Sequence, residues 1–179
     1  MFLSTQMKSP LGTLTLAATS EAIVGLWIDG QKYWGLTKPA NFVRDDAAPI
    51  LREGCAWIEA YFADKRPSID ALPLAPLGGT FRQTVWGILK EIPYGQVTTY
   101  GEVAAEAAHR LSKERMSAQA TGGAVGHNQI SIIIPCHRVV GSSGSLTGYA
   151  GGVDKKVALL RHEGVDMSRL FIPQKGTAL

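Results

Sequence analysis

Apolar and β-branched positions in the first third of the chain fall in three short runs, at residues 2–7, 11–18 and 22–28, broken by Ser9-Pro10-Leu11-Gly12 and Thr19-Ser20-Glu21. Runs of that length separated by turn-forming residues predict successive β-hairpins. Over residues 46–63 the period changes. Ile50, Leu51, Trp57, Ile58, Tyr61 and Phe62 recur as one face of a helix does, and that helix is expected to cover the sheet. Between 64 and 79 the chain carries Pro67, Pro73, Pro76, Gly78 and Gly79. Proline fixes φ and discourages helix before it, so this stretch is the expected connection between an N-terminal domain, 1–79, and a C-terminal one, 80–179.

After that boundary the pattern is helical. Thr80 is expected to cap a helix whose buried side is Phe81, Val85, Ile88 and Leu89, ending near Pro93-Tyr94-Gly95. Thr99 with Glu102 three residues on is a capping box, opening a helix through His109 that offers Val103, Ala104 and Ala107 for packing. A polar stretch, 110–115, leads to Ser117 and a second, small-residue helix over 118–125. Two short helices joined by a turn, with Arg110, Lys113 and Arg115 before the second, are either a helix-turn-helix that places its second helix in a DNA groove or ordinary helical packing beside a solvated basic loop.

Composition narrows the class. A chain of 179 residues is one domain or two small ones, and two cysteines are too few for a disulfide framework. With 45% hydrophobic residues, 20 glycines and 9 prolines, the chain is neither collagen-like nor disordered. Residues 1–10 lack a basic run followed by an apolar stretch, and no segment approaches the roughly 20 apolar residues needed to cross a bilayer, so a soluble cytoplasmic protein is expected. The formal charge of +3 is uneven: 7 basic residues face 8 acidic ones before Thr80, and 11 face 7 from Thr80 onward. A polyanion would meet the second half more favourably.

The candidate chemistry centres on Pro135-Cys136-His137-Arg138, directly after the apolar run 130–134. A thiol flanked by an imidazole and a guanidinium has two sources of thiolate stabilisation, and the thiolate is the reactive form. His137 can act on the sulfur through water or pair with a carboxylate, for which Glu163, ending a helix over 153–163, is the best candidate. On these residues alone, Cys136 is equally readable as a small buried hydrophobe. Cys55 falls in the first helix and reads as packing, and the absence of Cys-x-x-Cys or His-x-x-x-His spacing gives no reason to expect a metal. Residues 142–152 form a glycine-rich loop containing Tyr149, either a wall for a planar ligand or a plain surface turn. Its glycine spacing matches no phosphate or dinucleotide signature, so no cofactor is expected.

Taken together, Phe81-Arg82-Gln83-Thr84-Val85-Trp86, Ile92-Pro93-Tyr94-Gly95-Gln96-Val97-Thr98-Thr99-Tyr100, Asn128, Ile134-Pro135-Cys136-His137-Arg138-Val139-Val140 and Gly148-Tyr149-Ala150-Gly151-Gly152, followed by Lys156 and Glu163, resemble the methylated-DNA–protein-cysteine methyltransferases, also called O6-alkylguanine-DNA alkyltransferases. The resemblance is strong over 80–164 and softer over 1–63, where Ser9-Pro10-Leu11-Gly12 also fits. It implies an α/β fold: an N-terminal ribonuclease-H-like α/β domain followed by a mostly helical domain whose helix-turn-helix binds the minor groove of double-stranded DNA, acting as a monomer. The implied reaction is stoichiometric and irreversible transfer of the alkyl group of O6-methylguanine, and of O4-methylthymine, from a flipped-out base to Cys136. The resemblance further assigns His137 as a base acting through water, Glu163 as its orienting partner, and Asn128 to the hydrogen-bond network of the site. Tyr100 is assigned to a phosphate contact or proton donation, Tyr149 to the pocket wall, and Val139, Tyr149 and Ala150 to reading the guanine edge. Gln119, Ala120, Thr121 and Gly122 are the DNA contacts the resemblance implies, and Arg110, Lys113, Arg115 and Arg138 are expected to contact DNA through their charge.

Two departures from the family pattern stand out. Gln119 occupies the place where the family usually has an arginine that fills the gap left by the extruded nucleotide, and Asn128-Gln129 replaces Asn-Pro. Glutamine lacks the charge and the guanidinium plane, so a residue of the basic loop, which is read as longer than in common members, is a candidate for the missing plug. The Gln129 change is expected to affect loop stiffness. The alternative readings are a lesion-binding relative without effective transfer, against which retention of Cys136, His137 and Glu163 argues, and a cysteine hydrolase, for which nothing else in the sequence speaks.

Overall fold

The computed structural model describes residues 1–33 and 42–174, which divide into two units. The first consists of Met1–Leu77 together with Gln129–Ile133, and the second of Gly78–Asn128 and Ile134–Leu179.

In the first unit, strands β1 (Phe2–Ser9), β2 (Gly12–Ala18) and β3 (Ile23–Ile28) pair antiparallel in sequence order, as the hydrophobic runs predict. A short strand β4 (Phe42–Arg44) adds parallel to β1, giving the sheet order β3-β2-β1-β4. Helix α1 (Pro49–Phe62) starts three residues later than its apolar period suggests, with Pro49 in the first turn, where a missing N–H costs nothing. It lies on β1 and β2 through Ile50, Leu51, Trp57, Ile58 and Tyr61. Gly54 lets it approach closely, since a Cβ there would sit 2.7 Å from Leu16 Cδ2. Cys55 is half-buried on this helix, and burial raises its thiol pKa.

All six residues of β3 are buried, because two distant segments finish its outer edge. Ile23 donates to Pro73 O (2.8 Å) and accepts from Ala75 N (2.8 Å). Leu26 donates to Gln129 O (2.8 Å) and accepts from Ser131 N (2.9 Å). An open strand edge presents unpaired backbone groups, and these two segments remove it. Residues 129–133, placed by sequence with the second half, therefore belong with the first unit. The Gln129 side-chain amide donates to Leu77 O (2.7 Å) and accepts from Leu77 N (3.0 Å), pairing with both backbone groups of one residue, a role the sequence did not suggest.

The second unit contains helices α2 (Thr80–Lys90), α3 (Tyr100–Arg110), α4 (Ala118–Gly126) and α5 (Val153–His162), with a two-stranded parallel pair, β5 (Thr98–Thr99) and β6 (Val139–Val140). Thr80 is not the cap expected of it: Gly79 holds that position, and Thr80 is the first helical residue, its carbonyl accepting from the Thr84 hydroxyl. The capping box at α3 forms in full, with Glu102 N donating to Thr99 Oγ1 (3.2 Å) and Thr99 N donating to Glu102 Oε2 (2.7 Å). Ser117 caps α4 by accepting from Ala120 N. Helices α2, α3 and α4 pack on one another.

The buried side of α2 includes Trp86, which its apolar period did not single out, whereas Phe81 is only half-buried. The Trp86 indole N–H donates to Ala124 O (2.9 Å), a carbonyl in the last turn of α4, where intrahelical partners run out. Replacing Trp86 with Phe leaves that buried acceptor without its indole donor and is expected to destabilise the protein by about 1–3 kcal/mol, read as a lowered urea midpoint at unchanged slope.

Candidate active site

The apolar run that precedes the cysteine is a bent path rather than a straight strand. Ile133 N donates to Ser131 O (2.8 Å) across Ile132, whose φ is 72°. A β-branched residue in the left-handed region is rare and costs on the order of 1–3 kcal/mol, which the buried surroundings of Ile132 must hold in place. Pro135 then forms a second tight turn, with φ −82° and ψ 63° and Cys136 N donating to Ile134 O (2.8 Å). Cys136–Arg138 follow as a single 3-10 turn. The chain thus delivers the thiol into the second unit, buried and with defined neighbours.

Asn128 holds that geometry. Its Nδ2 donates to Ile134 O (2.8 Å) and lies 3.1 Å from Cys136 Sγ. Burial raises the Cys136 pKa, and the Asn128 hydrogen bond, the Lys156 charge and nearby backbone N–H groups act in the opposite direction without overcoming it. The resting sulfur is therefore a thiol, and reaction requires a group that takes its proton.

His137 is fully buried, with Nε2 2.7 Å from Glu163 Oε1. Its Nδ1 is buried without a hydrogen-bond partner among the described residues. Burial pushes the Glu163 carboxyl up, but the hydrogen bonds from His137 and Arg138 and the Arg138 charge together outweigh it and hold the carboxyl well below the usual range. An ionised Glu163 can only accept, which assigns the imidazole proton to Nε2 and leaves Nδ1 as an acceptor. Burial also favours the neutral ring, and the charges of Arg138 and Lys156 reinforce it against the pull of Glu163. His137 Nδ1 is thus left with a lone pair that no described residue uses.

Tyr149 packs edge-on to the His137 ring at 6.4 Å between centroids, and its hydroxyl is buried without a partner among the described residues. The Tyr100 hydroxyl lies 3.2 Å from Thr147 O and 3.1 Å from Gly148 O, carbonyls of the glycine-rich loop. Burial pushes both phenols up, so both remain protonated. Ala150 is half-buried in the same loop.

Lys156 is a buried charge at the site to which the sequence assigns no role. It has no exposed surface, and its ammonium donates to Val139 O (2.5 Å) and Thr147 O (2.9 Å) while lying 5.8 Å from the centre of the Tyr100 ring. One side chain therefore ties β6 to the glycine-rich loop. Burial lowers its pKa to about 8, opposed by the negative charge available at Cys136. The legible signal was a lysine three and four residues before Leu159 and Leu160, the buried face of α5.

Several expected DNA contacts sit elsewhere. Arg138 is buried and spent on internal partners: its Nε and Nη2 donate to Glu163 (2.8 and 3.0 Å) and its Nη1 to Ile92 O (2.6 Å). It faces neither solvent nor the thiol, so the expected stabilisation of sulfur by this guanidinium is replaced by Asn128 and Lys156. Arg110 is held by Glu91 (2.6 Å) and Glu106 (2.7 Å). Thr121 is fully buried on α4, and Gly122 packs beside the Tyr100 ring. Lys113, Arg115, Gln119 and Ala120 are exposed, the first two before α4 and the others in its first turn.

Among the described residues no three His, Cys, Asp or Glu side chains cluster to hold a metal, and no helix is long and apolar enough to cross a membrane. Residues 3–76 match the 6-O-methylguanine DNA methyltransferase, ribonuclease-like domain, and residues 80–165 match the 6-O-methylguanine DNA methyltransferase, DNA binding domain. The chain is 41% identical over 158 residues to the methylated-DNA–protein-cysteine methyltransferase of Methanosarcina acetivorans, covering 88% of this chain and 95% of that protein. It is 36% identical over 159 residues to the protein of the same name from Haemophilus influenzae, covering 89% and 84%. The crystal structure of Mycobacterium tuberculosis O6-methylguanine methyltransferase superimposes with a TM-score of 0.77 at 37% identity, covering 98% of this chain and 97% of that one. A structure of the M. tuberculosis protein OGT in complex with DNA gives 0.76 at 37% identity, covering 94% of each chain. With both halves matched in order, and with a buried Cys–His–Glu arrangement in the second, the chain belongs to the 6-O-methylguanine DNA methyltransferase family, an α/β ribonuclease-like domain followed by a helical DNA-binding domain that repairs DNA by direct alkyl transfer.

Proposed function

We propose that Cys136 is the alkyl acceptor for O6-methylguanine in double-stranded DNA, that His137 removes its proton, and that each molecule acts once. The observation that carries this reading is the buried thiol bonded by Asn128 next to a neutral imidazole whose Nε2 is committed to Glu163 and whose Nδ1 is open. The thiol proton passes to His137 Nδ1, directly or through solvent, as the sulfur electron pair forms the S–C bond. The C–O6 bond breaks with its electrons going to the guanine, which takes up a proton and leaves as the neutral base. The proton count closes: the thiol loses one and the guanine gains one. Tyr100, kept as a phenol by burial, is suited to deliver it, with His137 making good the loss. A thioether offers no easy hydrolytic return, so the acceptor is consumed.

A base inside the stack cannot reach a buried sulfur, so the lesion must be rotated out of the duplex. The exposed start of α4, with Gln119 and Ala120, is the segment proposed to enter the minor groove, and a single copy suffices. The carbonyl of Val139 and the loop holding Tyr149 and Ala150 form the proposed guanine pocket. Lys156 keeps that carbonyl and the loop in register.

Intact-protein mass spectrometry after incubation with a duplex carrying one O6-methylguanine is expected to show a single methyl addition mapped to Cys136 and absent in Cys136→Ala; tight binding without mass gain would instead identify a lesion reader. Lys156→Met removes both donors and the charge, and is expected to slow transfer at least about tenfold at neutral pH. Above pH about 8 native Lys156 has itself given up its proton but keeps two N–H donors, so the gap between the two proteins narrows in single-turnover rates. Since Arg110 is held by Glu91 and Glu106, the duplex attraction of the loop is assigned to Lys113 and Arg115. Replacing these two with Ala is expected to weaken binding and to lower the slope of log K against log salt by about 2, while Arg110→Ala leaves the slope unchanged.

A further inference from the structure

Glu163 serves two side chains at once, a neutral imidazole and a guanidinium. Its Oε1 accepts from His137 Nε2 (2.7 Å) and Arg138 Nη2 (3.0 Å), and its Oε2 from Arg138 Nε (2.8 Å) and Gly95 N (3.2 Å). Four donors on two buried oxygens leave no place for a proton on the carboxyl. The guanidinium is itself fixed from its other side, by Ile92 O and by the face of the Tyr94 ring 5.6 Å away. Ile92, Tyr94 and Gly95 all belong to the segment joining α2 to β5, so that segment is shaped around this ion pair. Gly95 is required there by its φ of 76° and because a Cβ would come within 2.9 Å of Glu163 O.

The electrostatic consequence falls on the imidazole. An unopposed buried carboxylate against His137 would favour the imidazolium, and an imidazolium has no lone pair with which to take a proton from the thiol. A carboxylate matched by a permanent guanidinium orients the ring without demanding its charge. The groups facing His137 are Glu163 and Lys156 from α5 and its end, Cys136 and Arg138 on its own turn, and Tyr149 from the glycine-rich loop. Among these only Glu163 favours the protonated ring, and Arg138 is the group bonded to both of its oxygens.

We infer that Arg138 is a positioning residue of the transfer reaction, whose two-point grip on Glu163 keeps His137 neutral with its proton on Nε2, so that Nδ1 is available to the thiol. This inference rests on the assignment of Cys136 and His137 above. Its step is a proton relay only: the thiol proton moves to Nδ1, Nε2–H stays hydrogen-bonded to an anionic Glu163, and no proton passes to the carboxyl.

The test uses the full-length chain, with the histidine rings labelled with nitrogen-15, and reads the His137 ring by NMR across pH 5–8. Wild-type His137 is expected to remain the neutral Nε2–H form through pH 6, where an ordinary imidazole, with a pKa of about 6.5, is mostly protonated. Arg138→Gln uncovers the Glu163 charge and is expected to raise the His137 midpoint by about one pH unit or more, moving the acid limb of the single-turnover rate upward by the same amount. Arg138→Lys keeps the charge with a less rigid donor set and is expected to restore most of the wild-type profile. A folded Arg138→Gln protein whose His137 titration is unchanged, with a rate lowered equally at every pH, would overturn the inference and leave Arg138 a structural residue. If Arg138→Gln fails to fold, wild type and Arg138→Lys decide: a wild-type His137 titrating near 6.5 overturns the inference equally. Failure of the underlying assignment looks different, since it shows as methyl mapped away from Cys136 or transfer unaffected by His137→Ala, while the ring titration still reports on Arg138.

Discussion

Glu163 is an anion almost out of reach of water, and an isolated carboxylate in such a place is strongly disfavoured unless partners replace its hydration. Here the partners come from two parts of the second unit, the 3-10 turn that carries His137 and Arg138 and the segment after α2 that presents Gly95, and they meet on a carboxylate at the end of α5. Satisfying this one charge therefore fixes three segments relative to one another. The cysteine, one residue before His137, inherits that rigidity.

The remaining polar groups of the site follow from the same demand that nothing buried go unpaired. Lys156 resolves the carbonyls of Val139 and Thr147, Asn128 resolves that of Ile134, and Trp86 resolves that of Ala124. Against this background three buried atoms among the described residues lack a partner, the Thr121 hydroxyl on α4 and, beside the cysteine turn, Nδ1 of His137 and the hydroxyl of Tyr149. The bend at Ile132 has a similar character, a local backbone cost tolerated directly before the thiol.

Charge is distributed with the same economy. Two arginines that the sequence offers as DNA contacts or thiolate partner are used differently, Arg138 on Glu163 and Arg110 on Glu91 and Glu106, and Lys156, to which the sequence assigns no role, is spent on backbone carbonyls. The positive excess of the second half therefore overstates the charge presented to a polyanion. Lys113 and Arg115 are the basic side chains of the α3–α4 loop that remain exposed beside Gln119.

The sequence by itself determined the elements whose signals are local. The three hairpin strands, helix α1, the capping box at Thr99 and Glu102 and the cap at Ser117 depend on neighbours within a few residues. The pairing of His137 with Glu163 was legible because a buried imidazole needs a carboxylate and few acidic residues follow it. What only the tertiary structure decided are interactions between residues far apart in the chain. The return of 129–133 to complete the edge of β3, the amide of Gln129 on Leu77, the indole of Trp86 on α4 and the inward turn of Arg138 all depend on which backbone groups folding leaves unpaired. No periodicity encodes that, because an arginine or lysine reads as a surface charge until the chain has closed around a partner that needs it.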